Sequence, residues 1–124
     1  LVRFSYSEDA ISDLKNKVRH IYDIYKMLKE PEIKHFFNSK KFEEMLLKVA
    51  KDDIVSYKSN NDWLKNHPKN AVIFADRINV WNEIEPVYKL DFGKLVYGKL
   101  PDAEELIKTL EIVENRLQKI DWNL

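Results

Sequence analysis

The chain has no cysteine, and only two glycines, four prolines and two methionines in 124 residues. Without thiols there is neither a disulfide frame nor a thiolate metal site, a usage that fits an intracellular protein. No apolar run approaches the roughly 20 residues needed to cross a bilayer, and no signal-peptide pattern opens the chain. Neither charge is in excess, because 21 basic and 21 acidic side chains cancel. A global field able to hold nucleic acid is thereby excluded, and a polyanion would have to meet a local patch. The first residue is Leu1, not methionine, so the chain is expected to be cut from a longer polypeptide.

What is present is apolar periodicity. Hydrophobic residues make up 44% of the chain and charged ones 34%, enough for one core and too short a chain for two domains. Leu1–Tyr6 alternates briefly and reads as an arm or the tail of a preceding domain. Ser7 is placed to cap a helix, with Glu8 and Asp9 on its positive end. Ile11, Leu14, Val18, Ile21, Tyr25 and Leu28 then recur every three or four residues, predicting one helix, and Pro31 ends it or starts the next turn. A short turn carries Phe36 and Phe37. After Ser39, a further cap, Phe42, Met45, Leu46, Val49 and Ala50 predict a buried face. Lys40, Lys41, Lys48 and Lys51 lie around the other sides of that helix, as a solvated face or, alternatively, a phosphate contact, and residues 54–57 either extend it or begin another.

Asn61 or Asp62 caps a turn holding Trp63 and Leu64, stopped by His67–Pro68. From Asn70 a helix is predicted through Ala71, Phe74, Ile78 and Trp81 to Glu85, with Pro86 as its end and Trp81 in the core. Val87 onward reads as irregular. Asp102 and Glu105 form a capping-box pattern ahead of Ile107, Leu110, Val113, Leu117 and Ile120. The expectation is an all-α protein: a single bundle spanning residues 1–124, with four main helices and one or two short ones.

Two stretches carry possible chemistry. Residues 93–100, GKLVYGKL, match the front of a phosphate-binding loop. Leu100 stands where a metal-binding hydroxyl belongs, Pro101 follows, and no strand precedes. A hydrolytic loop is therefore excluded. Either Lys94, Tyr97 and Lys99 meet a nucleotide, or the glycines only make turns. The second stretch is NNDWLKNHPKNAVIFADR, residues 60–77, whose polar groups do not repeat at helical spacing. Residues 34–69 hold eight lysines against five acids, and residues 101–124 three bases against six acids. An exposed Trp63 could stack a base while Asn60 and Asn61 read base edges and Lys65, His67, Lys69 and Arg77 meet phosphates. Equally, Trp63 and Leu64 could plug the end of the bundle. His20 with Asp23 and His35 with Glu32 each lack a third ligand for a metal, and no nucleophile–base pair can be drawn.

That segment, the LVRFSY start, the cysteine-free bundle of this size and the Lys-, Glu- and Ile-rich, heat-adapted composition resemble one family. It is the helix-bundle domain that follows the primase-polymerase domain in replication proteins of archaeal plasmids. The resemblance implies a cytoplasmic, non-catalytic accessory module that holds single-stranded DNA template. ATP or another nucleotide, with or without magnesium, would be bound and not hydrolysed. Primase-polymerase and helicase domains of the same chain would be its partners. The rival expectation is a protein-interaction bundle that binds no nucleic acid, with residues 88–97 as its apolar patch; an enzyme with an unseen site is the third.

Overall fold

Leu14, Val18 and Ile21 form the stripe on which the other helices close. In the computed structural model, which describes residues 1–56, 62–90 and 100–122, all three are buried. The described residues hold eight α-helices, two 3-10 turns and no strand, so the chain is all-α as its periodicity predicts.

Where one N-terminal helix is expected there are two, α1 (Ala10–Lys15) and α2 (Val18–Met27). Asn16 and Lys17 close tighter turns, Lys17 N–H donating to Leu14 O at 3.0 Å and His20 N–H to Lys17 O at 2.9 Å. The apolar stripe crosses this joint unbroken because 3-10 and α spacing bring nearly the same residues inward. Asp9, not Ser7, caps α1, accepting from Ser12 N–H at 3.2 Å, while the Ser7 hydroxyl donates back to Phe4 O. The expected arm is a 3-10 turn, Arg3–Tyr6, with Phe4 and Tyr6 packed on the core.

Pro31 opens α3 (Pro31–Phe37) from its first helical position, where the missing N–H costs nothing. Next comes α4 (Lys40–Ser56), so Ile54 and Val55 extend the helix. Ser39 does not cap α4 through its side chain; the hydroxyl donates to Phe36 O at 2.6 Å. Two of the five residues expected in the buried face of α4 are instead exposed, Met45 at 55% and Val49 at 49%. The helix turns Leu46 and Ala50 inward, and its outer apolar side is left exposed.

The segment from Asp62 divides into α5 (Asp62–Lys65), a 3-10 turn (Pro68–Asn70), α6 (Val72–Ala75) and α7 (Arg77–Leu90). The single helix expected from Asn70 to Glu85 breaks at Asp76, whose carboxylate accepts from the Asn79 amide at 2.8 Å. This break reorients the helix and leaves Ile78, expected inside, 55% exposed. Pro86 does not end α7. Its ring lies on the solvent side, near exposed Asn82 and Glu83, where the carbonyl stripped of its donor can face water. Beyond it Tyr88 is anchored twice. The ring lies 5.4 Å from that of buried Trp81, and the hydroxyl donates to Pro101 O at 2.7 Å. Last comes α8 (Ala103–Gln118), entered through the predicted capping box, with Asp102 N–H donating to Glu105 Oε2 at 3.0 Å.

In space α7 packs against α1, α2, α6 and α8, and α2 also lies on α8. The pair α3–α4 joins this body through Phe42 and Leu46 and through one buried cation. Arg116 of α8 donates Nε–H to Phe37 O at 2.7 Å, Nη2–H to Ser39 O at 3.0 Å and Nη1–H to Glu43 Oε1 at 3.0 Å. Its guanidinium also stacks 5.3 Å from the centre of the Phe42 ring. Two of these acceptors are carbonyls at the α3–α4 junction, the first of them at the negative end of α3.

Arg116→Ala is therefore expected to cost about 3 kcal/mol in urea unfolding, because charged hydrogen bonds contribute more than neutral ones. Amide exchange should rise in α3 and the first half of α4 and leave α7 unchanged. Lys at 116 should recover little, since it cannot present three directed donors in one plane. Burial, then neighbouring Tyr22 and Glu105, pushes the Tyr88 phenol up to about 12 from 10.0. The folded state thus keeps a proton that the unfolded chain loses first, and stability falls as pH rises from 10 to 12. Tyr88→Phe should cost about 1 kcal/mol in thermal unfolding at neutral pH, a deficit that shrinks across that alkaline window.

Candidate functional site

Residues 62–77 wrap one end of the bundle, and much of their polar chemistry points into the protein. His67 uses both ring nitrogens. Nε2 lies 2.7 Å from Ile120 O, and Nδ1 accepts from Lys69 N–H at 3.1 Å. An acceptor Nδ1 leaves Nε2 as the protonated atom, so the ring donates to the end of α8. Trp122 adds a second stitch, its indole N–H donating to Leu64 O at 3.0 Å, with its ring 6.3 Å from the imidazole. Arg77 pairs with Glu114 of α8 and also donates to Phe74 O at 3.3 Å.

Of the seven residues expected to meet nucleic acid, Asn60 and Asn61 lie outside the described residues. Trp63 is half-buried, and its indole N–H is fully buried with no hydrogen-bond partner among the described residues. Lys65 is exposed and Lys69 half-buried. The structure therefore brings Trp63, Lys65, His67 and Lys69 onto one short segment, but engages His67 and Arg77 within the fold. Lys94, Tyr97 and Lys99, expected to meet a nucleotide, fall outside the described residues, as do both glycines of that loop. Of the expected apolar patch at 88–97, Tyr88 is buried and Leu90 is exposed; residues 91–97 are outside the described residues. No cluster of three or more His, Asp or Glu side chains converges among the described residues. None of their helices is long and apolar enough to cross a membrane.

A different feature stands out beside α2 and α4. Between α2, α3, α4 and α8 runs a groove made of two adjoining cavities, of about 610 and 250 Å³. Ile24, Met27, Phe42 and Val113 line both. Leu46, Phe74 and Leu117 extend the larger one beside Leu1 and Val2, with His20, Asp23 and Lys26 at its rim. Leu28, Ile33, Phe36 and Phe37 complete the smaller, whose walls are apolar. Phe42 sits between the two as the pivot, its ring 5.0 Å from Phe37 and 6.1 Å from Phe36. Met27 and Ile33 stand exposed at the mouth. Water-exposed apolar walls in a concave surface are unfavourable in isolation, and such surfaces serve as binding grooves.

Periodicity did not reveal this groove. Met27 and Ile33 lie outside both predicted stripes, and their signal is only that each is apolar beside a helix end. Nothing in the spacing of the sequence marks Arg116, Glu43 or Trp122. Comparison with known protein families, with curated proteins and with solved structures finds no match to the chain.

The hydrogen bonds of His67 assign it a structural part that can be measured. His67→Ala removes two hydrogen bonds at about 1 kcal/mol each. Thermal unfolding should register a loss of about 2 kcal/mol, and Trp122 fluorescence should shift as that ring loses its neighbour. An unchanged melting curve would mean that His67 faces outward in solution.

Proposed function

We propose that this bundle is a non-catalytic docking module whose α2–α3–α4–α8 groove receives an apolar helical segment of a protein. One observation carries the reading: the groove is apolar, concave and open, and Met27 and Ile33 are exposed at its mouth. An amphipathic helix laid into such a groove buries residues at helical spacing against it, and the rim charges His20, Asp23 and Lys26 orient it. Each fully buried Leu- or Phe-sized anchor contributes about 2 kcal/mol. Arg116 matters to this function indirectly, since it holds α3 and α4 at the spacing that leaves the groove open.

A second reading follows the resemblance to the primase-associated bundle, with single-stranded DNA and a nucleotide as ligands. It is favoured by the half-exposed Trp63 beside Lys65 and Lys69 on one segment. Against it stand the zero net charge and the commitment of His67 and Arg77 to internal partners.

A photoreactive residue at Ile33, compared with one at Ile112 on α8, separates the two. Ile112 is also exposed and does not line the groove. Irradiation of the purified protein, alone and in an extract of its source, should give a discrete protein adduct from position 33 and none from 112. Equal, diffuse labelling from both would contradict docking. In the same preparation, titration with short oligonucleotides and ATP should leave the amide signals of residues 62–77 in place. Salt-dependent shifts there, lost in Trp63→Ala without loss of stability, would favour the nucleic-acid reading instead.

A further inference from the structure

The lip of the groove is α4, and this helix carries a pattern that the fold does not use. At 3.6 residues per turn, Val49 lies about 20° and Met45 about 60° round from Phe42, on the side away from Leu46. Apolar surface therefore runs out of the groove, past Phe42, onto the exposed side of α4. Charge along that side is ordered by position. Exposed Lys41 stands one turn before Met45, and exposed Asp52 stands just under one turn after Val49. A cation at one end, an apolar middle and an anion at the other end make a surface complementary to itself when reversed.

We propose that the occupant of this face is a second copy of the chain, related by a two-fold axis that pairs the α4 helices antiparallel about the level of Leu47. Met45 then meets the partner's Val49, and Lys41 meets the partner's Asp52. Symmetry makes each contact twice, so the interface is closed and cannot propagate into a fibre. Lys48 is the other charge near the axis, and it lies between Glu44 and Asp52 of its own helix, one turn to each side. A parallel pairing would instead set Lys41 against Lys41 and Asp52 against Asp52. This face adjoins the groove at Phe42, but Met45 and Val49 do not line it, so the pairing goes beyond the docking reading above.

Sedimentation velocity of the full chain tests it, from micromolar to roughly millimolar protein. The mass should climb from 14.8 kDa toward twice that value with concentration. Lys41→Asp and Asp52→Lys alone should each raise the dissociation constant about tenfold, since each turns two attractions into repulsions. Both changes in one chain should restore it, and Met45→Glu should abolish dimers. All three side chains are exposed, so unfolding curves should match the wild type. A chain that stays monomeric throughout overturns the proposal. So does a dimer that the single charge changes leave intact or that the double change fails to restore. A monomer that still gives a heterologous adduct from position 33 loses the self-pairing and keeps the docking groove, whereas a monomer with no adduct loses both.

Discussion

A single guanidinium decides the shape of this protein. Arg116, 8% exposed, reaches from α8 to two carbonyls at the α3–α4 junction, to Glu43 and to the face of Phe42. Burying a cation is costly unless every donor is satisfied, and here backbone carbonyls, a carboxylate and an aromatic face divide that task. The cation also neutralises the negative end of α3. Beside this link, Phe42 and Leu46 pack α4 against the body, and Phe37 and Ala50 are buried. The groove exists because that link is polar and directional. A purely apolar contact at the same place would let α4 settle inward over Met27 and Val113.

Two parts of the molecule are built on opposite terms. Around residues 62–77 the polar groups are turned inward: His67 and Trp122 tie α5 and the following turn to the end of α8, and Arg77 closes on Glu114. This end is knitted together by hydrogen bonds that a ligand would have to break. At the α3–α4 junction Arg116, two carbonyls and Glu43 form one clamp, and apolar surface beside it is left facing water. A binding role fits the second part better, because occupying it replaces nothing that the fold needs.

Much of the architecture was legible. Helical spacing located α2, α4, α7 and α8 and the capping box of α8, since such patterns report which face is dry whatever the partner. Three things were not. Helix breaks at Lys17 and Asp76 depend on local turns that leave the apolar period almost intact. The survival of α7 past Pro86 depends on Tyr88 being packed on Trp81 of the same helix and tied from outside it to Pro101 O. The exposure of Met45, Val49 and Ile78 depends on which neighbours are missing, and periodicity cannot count neighbours. The same limit hid the clamp: nothing in its local sequence distinguishes Arg116 from a solvated cation until the junction 77 to 79 positions away is brought beside it.

The most direct probe of the clamp is the Arg116 Nε–H itself, followed by nitrogen-edited NMR. Donated to Phe37 O inside the protein, it should give a resolved signal at neutral pH that exchanges with water far more slowly than the Nε–H of exposed Arg19. Denaturant concentrations that release α3 and α4 should abolish it while α7 stays folded. An Arg116 signal that exchanges as fast as that of Arg19 would contradict the account, because the cation would then be in water and the groove would have to be held open by something else.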